Sequence, residues 1–257
     1  LIWTALITLL LFAVFGDSLP LLHVGGWVLL AVASHVLVDL FNSYGTQALR
    51  PFSNKWISWN IIHIFDPILF STHAAAILLW ASNLAQPHVL FPALYGIMVL
   101  YFIAKTIQHA MVERRLPDRD AFHVPGDRYI AIPTIHPLVW NIVKQQVNGD
   151  YLLGEWRYGQ IKWADRVKCD SHPAVEASKH HPDIAAFLYF SSYACAEVRH
   201  HPWGYEVRWV DVRYRHRKQY PFVAALLLGP DLKPIDSYVG WLSEARLRKK
   251  LQVNMLT

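Results

Sequence analysis

The chain has 257 residues, of which 54% are hydrophobic, 14% aromatic and only 17% charged. A soluble domain is usually about a quarter charged, which counts against an ordinary soluble enzyme; the wealth of aromatic and apolar side chains excludes disorder. Cys169 and Cys195, far apart in the chain, are too few for a disulfide scaffold and read as two free thiols of a reducing compartment.

Charge is unevenly distributed. Residues 1–104 hold two basic side chains, Arg50 and Lys55, and three acidic ones, Asp17, Asp39 and Asp66, a net −1; residues 105–257 hold 22 basic and 16 acidic residues, a net +6. The break near Lys105 predicts a change of solvent. A transmembrane helical domain is expected over 1–110, and a water-exposed domain over 111–257. A mild positive excess beside a bilayer suits anionic lipid head groups. There is no nucleic-acid motif in the sequence, and no signal of an oligomeric state.

Four apolar stretches occupy the first part: Leu1–Phe15, Val24–Phe41, Ile61 to about Ser82, and Val89 to about Ala104. A spanning helix takes roughly 20 residues. The last three reach that; the first is short, and with no Met ahead of Leu1 it reads as truncated, with residues missing before it. The connection 16–23 and the connection 83–88 carry no Lys or Arg, whereas residues 42–60 carry Arg50 and Lys55 and the segment after the fourth stretch carries Lys105, Arg114, Arg115 and Arg119. The positive-inside rule then predicts a multi-pass protein with residues 42–60 and the C-terminal domain in the cytoplasm.

The second part predicts a small α+β domain. Gly126 to about Pro133, Val139–Val147 and Tyr151–Tyr158 read as strands, the last two joined by a turn at Asn148-Gly149-Asp150. Pro182–Tyr193 has helical spacing, with Ile184, Phe187, Leu188 and Ser191 on one face. Tyr205–His216 and Tyr220–Leu228 read as strands turned by Arg217-Lys218-Gln219. Residues 241–251 read as a basic amphipathic helix with Trp241 inward.

The candidate chemistry lies in the second and third apolar stretches. His35, Asp39 and Asn42 stand at i, i+4 and i+7, on one helical face. An imidazole and a carboxylate one turn apart either ligate a cation such as Zn²⁺ or Mn²⁺ or satisfy each other inside a bundle. Asp66, ahead of Pro67, reads as a helix N-cap, and the short connection from Asn42 returns it to the membrane face where Asp39 and Asn42 emerge. His63 is within reach of this group; His73, two turns deeper, reads as a packing or proton-relay residue. Arg50 and Lys55 are candidates to hold a phosphate, or to anchor topology among lipid head groups. Tyr44-Gly45-Thr46 shapes a loop over the site, and Ser43 and Ser53 have no nucleophile-elbow context. His180-His181 and His200-His201 read as surface pairs, since neighbours in a strand point to opposite faces.

The run SHVLVDLFNSYGTQALRPFSNKWISWNIIHIFDPILF, with its HxxxDxxNSYGT, its PFS element and its Phe-Asp-Pro, resembles the YdjM/YfhP-like family of bacterial inner-membrane, metal-dependent hydrolases. The resemblance covers about residues 24–110, and DVRYRHRKQYPF and Ser237-Tyr238-Val239-Gly240 are similar to the longer members. The family's further acidic motif and THS-type histidine motif are not in this chain. The resemblance implies His35 and Asp39 as metal ligands, Asp66 as a ligand or catalytic acid/base, and Asn42 as a catalytic or substrate-orienting group. The metal would be Zn²⁺ or Mn²⁺, and the reaction hydrolysis of a phosphoester or lipid-like substrate at the cytoplasmic face, with membrane lipid as the surrounding partner. The alternative is a non-catalytic membrane scaffold or regulatory protein.

Overall fold

The computed structural model describes residues 2–16, 20–214, 220 and 222–241. The chain forms two compact units. The first ends at Met111 and takes in Ile132–Pro137; the second holds Val112–Ala131 and the chain from Leu138 on.

The first unit is helical: α1 (Ile2–Phe15), α2 (Leu21–Phe41), α3 (Pro67–Ala81) and α4 (Pro87–Arg119). By length and composition α2, with 21 residues, and α4, with 33, can cross a membrane; α1 and α3 are shorter apolar helices. Their outward faces are largely apolar, with Leu22, Trp27, Phe70, Leu78 and Leu100 all well exposed. The third apolar stretch is shorter as a helix than expected. Ile61–Phe65 remain outside it, and the helix begins only where Asp66 caps it and Pro67 supplies a first turn that needs no amide hydrogen. α4, by contrast, runs fifteen residues past the expected end at Ala104, because nothing in Lys105–Arg119 but Pro117 interrupts a helix.

The second unit carries two four-stranded antiparallel sheets. β1 (Arg128–Pro133), β2 (Val139–Gln145), β3 (Tyr151–Arg157) and β4 (Gln160–Val167) follow one another in the first. β2 and β3 pair with Trp140 opposite Trp156. Both indoles, with Ala131 and Ile142, pack on Val112 and Leu116 of the end of α4, which explains why these two apolar residues stand one helical turn apart in an otherwise charged stretch. β4 had no prediction: the left-handed Tyr158 and Gly159, at φ 51° and 82°, make the tight turn that returns it along β3.

Two short helices, α5 (Pro173–Ser178) and α6 (Pro182–Phe190), precede the second sheet, formed by β5 (Ala194–His201), β6 (Gly204–Asp211), β7 (Phe222–Leu228) and β8 (Pro234–Trp241). β7 reads as an unbroken apolar run because both its faces are covered. Ala224, Leu226 and Leu228 meet Ile184 and Phe187 of α6, whereas Val223, Ala225 and Leu227 pack with Trp203, Val210 and Tyr238. In the expected helix over 182–193, Ile184 and Phe187 are buried as predicted, and Ser191 ends it, donating its hydroxyl to Asp211 at 2.7 Å. Trp241 ends β8 and is exposed rather than turned inward on a helix. The turn at 217–219 and the helix expected beyond Trp241 lie outside the described residues.

Two further findings correct the sequence reading. Cys169 and Cys195 are not free: they form a disulfide, with Cα atoms 5.2 Å apart, that ties the segment after β4 to β5. Their separation of 26 residues hid the pairing, because strand order brings distant segments together. Asp150 reinforces the junction, accepting from the Cys169 amide at 3.3 Å and from the Arg166 guanidinium at 2.8 Å. Burial works to raise the Asp150 carboxyl, but Arg166 and these hydrogen bonds hold it below the usual carboxylate range. The histidine pairs are structural. His181 caps α6 through Nδ1, 3.3 Å from the Asp183 amide, while His200 packs against the rings of His172 and Tyr205. His201 stacks on Trp203 and lies 3.2 Å from Glu206.

Candidate functional site

The last turn of α2 carries the first three candidates. His35 Nε2 lies 3.6 Å from Asp39 Oδ2, with the His35 side chain 81% exposed. Asp39 Oδ1 accepts from Asn42 Nδ2 at 3.2 Å. Asn42 is buried, and its own Oδ1 accepts from the amides of Tyr44 and Gly45, each at 2.8 Å. So the helical spacing does gather these residues, in a chain from imidazole to carboxylate to carboxamide. Asn42 serves chiefly to turn the backbone.

That turn opens the connection 42–66, which folds back on the end of α2. The α2 carbonyls left over at a helix C-terminus need donors. They find them here: Trp59 donates to Leu40 O at 2.7 Å, and Ile61 and Ile62 donate to Phe41 O at 2.7 and 3.0 Å. Ser58 Oγ donates to Asn42 O at 2.9 Å. Thr46 and Ile57 form an antiparallel bridge. Gly45 makes this closure possible. It sits at φ 68°, and a Cβ on it would run into the Ile57 carbonyl. Trp56 Nε1 donates to Tyr44 O at 2.6 Å, and the Phe41 ring stands edge-on to Trp59 and Phe102, 4.8 Å from each. Arg50 donates through Nε to Asn54 Oδ1 at 3.3 Å, along its own loop, and Lys55 is exposed. His63 is turned to its own segment, with Nδ1 3.2 Å from the Phe65 amide.

Asp66 closes the connection and belongs to a different polar group. Its Oδ1 accepts from the amides of Ile68 at 2.9 Å and Leu69 at 3.1 Å, and its Oδ2 from the Tyr101 hydroxyl at 2.7 Å. The Asp66 charge also acts on Lys105, which is buried one turn along α4 and donates to Gln108 Oε1 and Pro137 O, both at 2.9 Å. Tyr101, Lys105 and Gln108 were missed as a group; their signal was a polar stripe at i, i+4 and i+7 in an otherwise apolar helix. Lys105, read as the water-side end of the helix, is buried within the first unit. Asp66→Ala is expected to destabilise α3 by about 1–3 kcal/mol, since it removes the cap and leaves the Tyr101 hydroxyl without its acceptor. Thermal unfolding in detergent micelles would register it as a lower Tm.

The donor set does not fit a three-ligand metal centre. Both Asp66 oxygens are engaged in capping and with Tyr101, and the His35–Asp39 pair supplies only two donors, whereas a catalytic zinc takes three protein ligands. Among the described residues no three His, Cys, Asp or Glu side chains gather as a metal site.

An apolar helical unit with a polar-pinned interfacial loop, followed by an α/β unit of two antiparallel sheets, defines an integral membrane protein with an appended domain. Residues 1–112 match the YdjM inner membrane protein family, and residues 173–251 match the YfhP C-terminal alpha/beta plait domain. The chain is 38% identical over 260 aligned positions to YfhP, an uncharacterized protein of Bacillus subtilis (strain 168), an alignment that covers all of this chain and 78% of that protein. The chain therefore belongs to the YdjM/YfhP-like family. No solved structure matches it.

Proposed function

We propose that this chain is a non-catalytic membrane-anchored protein, in which the helical unit seats the chain in the bilayer and the two-sheet unit acts as a scaffold or regulatory module in the cytoplasm. The observation that carries this reading is that the two carboxylates described in the helical unit are engaged with their neighbours: Asp66 with two amides and Tyr101, Asp39 with Asn42 and His35. Ionisable groups in a membrane segment cost several kcal/mol unless partnered in this way. Exposed Arg50, Lys55, Arg114, Arg115 and Arg119 support the cytoplasmic side. The Cys169–Cys195 bridge is the feature that speaks for the other side of the membrane, since disulfides persist in oxidising surroundings.

A second reading, a membrane-bound hydrolase of phosphoester or lipid-like substrates, is favoured by one observation. His35 is exposed and held by a carboxylate that is itself held by Asn42, the arrangement of an oriented general base. Arg50 and Lys55 would then steady a phosphate.

Metal content of the full-length protein and of Asp39→Asn, with turnover on a panel of phosphoesters and phospholipids, separates the two. The expected result is no stoichiometric metal and no turnover in either protein. Stoichiometric Zn²⁺ or Mn²⁺ in the wild type that is lost in Asp39→Asn would overturn the scaffold reading. Turnover without metal that disappears in His35→Ala would replace it with the second.

A further inference from the structure

A cavity of about 720 Å³ lies among α2, α3 and α4 of the first unit, lined by Val38 and Phe41, by Leu69 and His73, and by Val99 and Phe102 with their neighbours. That volume is in the range of ligand sites. Its wall is almost wholly hydrocarbon; of the four polar side chains that line it, Tyr95 packs its ring edge-on to His73 and the other three bond to the backbone of their own helices. Ser34 Oγ donates to Ala31 O at 3.0 Å, Thr106 Oγ1 donates to Phe102 O at 2.8 Å, and His73 Nδ1 sits 2.7 Å from Leu69 O. A ligand here therefore meets dispersion contacts and little demand for hydrogen bonds. Along α4 the lining runs from Tyr95 to Ile107, about 18 Å at 1.5 Å per residue. That is close to the depth of one leaflet, about half of a 30 Å hydrocarbon core. Phe41 and Leu69 line the cavity where α2 passes into the connection 42–66 and α3 leaves it, and that connection carries Arg50 and Lys55, both exposed.

We infer that this cavity is a binding site for an acyl chain of an anionic phospholipid, with the chain along α4 between Val38 and Val99 and the phosphate at the 42–66 connection. The inference rests on the membrane-anchored reading above, because the surroundings that fill an apolar cleft between spanning helices are lipid tails. It goes beyond that reading by naming the ligand and its residues.

The test uses the full chain reconstituted in phosphatidylglycerol vesicles, re-extracted in detergent and examined by native mass spectrometry for retained lipid. Val38→Trp with Val99→Trp fills the cleft and is expected to cut retained phosphatidylglycerol at least tenfold. Val99→Leu, which adds a single methylene and leaves folding intact, is expected to give a smaller, graded loss. Leu100→Trp, on an outward face, is expected to retain lipid as the wild type does. Equal retention in wild type and both cleft variants overturns the proposal, as does a second copy of the chain cross-linked into the cleft. Resistance to alkaline carbonate extraction separates the two failures. A protein that stays in the membrane yet retains no lipid loses only the cleft assignment, whereas one released by carbonate loses the anchor as well.

Discussion

Lys144→Met is expected to destabilise the second unit by about 3–5 kcal/mol, the usual cost of removing one partner of a buried charge pair. Lys144 is completely buried on β2, and its ammonium lies 2.6 Å from Asp120 Oδ2, 2.9 Å from Asp127 Oδ2 and 2.5 Å from Phe122 O. Asp120 also accepts from the Tyr129 hydroxyl at 2.7 Å and from Trp163 Nε1 at 3.0 Å. One amine therefore pins the connection between α4 and β1 to the first sheet. Burial works to raise both carboxyls. The ammonium and the surrounding donors outweigh it and hold both below the usual carboxylate range.

The sign of the pH dependence follows. Carboxyls depressed in the folded state contribute stability that is complete above their unfolded value, about 3.9, and that is lost as pH falls through the lower folded value. The wild-type unit is expected to keep this contribution at pH 7 and to lose it in acid. In Lys144→Met the two buried carboxylates have lost their cation, and protonation then relieves them. The gap between variant and wild type is therefore expected to narrow on acidification. Urea unfolding at pH 7 and pH 4 measures both numbers. An equal gap at the two pH values would show that Lys144 contributes packing rather than charge.

Reduction of the Cys169–Cys195 bridge is expected to lower the stability of the same unit by about 3–4 kcal/mol, from the chain entropy released when a closed loop of this length opens. The bridge joins the segment following the first sheet to β5 of the second, and its half at Cys195 is 2% exposed, so reductant is expected to act slowly until the unit is partly unfolded. Urea unfolding with and without reductant, and a Cys169→Ser, Cys195→Ser variant under the same conditions, give the comparison. A variant as stable as the oxidised wild type would mean that the two sheets are held by packing alone.

What could be read from the chain alone divides by range. The apolar helices and the break in charge were legible because they are properties of short windows. So was the capping of α3, since Asp66 and Pro67 are adjacent and each has one favoured place at a helix start. The His35–Asp39–Asn42 alignment follows from helical period alone. The partners of Asp66 were not legible: Tyr101 and Lys105 come from another helix, and only the tertiary fold brings them to the cap. The disulfide escaped for the same reason, and β5 and β8 because their residues mix charge with apolar side chains and carry no alternation strong enough to stand apart. The meeting of two carboxylates, argued from the return of the chain to one membrane face, is not what the hydrogen bonds show: Asp39 is held by Asn42 and Asp66 by α3 and Tyr101. Asp66 stands at the start of α3, and its oxygens face α3 and α4.

The brevity of α3 sets a condition on the bilayer. Fifteen residues make a rod of about 22 Å, whereas α2, with 21, matches the hydrocarbon thickness of about 30 Å. In the membrane-anchored reading proposed above, with α3 set across the bilayer, lipid beside it would shorten, at a fraction of a kcal/mol for each ångström of mismatch. This chain would accordingly collect in thinner patches of membrane, and lipids with short or kinked tails would be enriched along that one side of it.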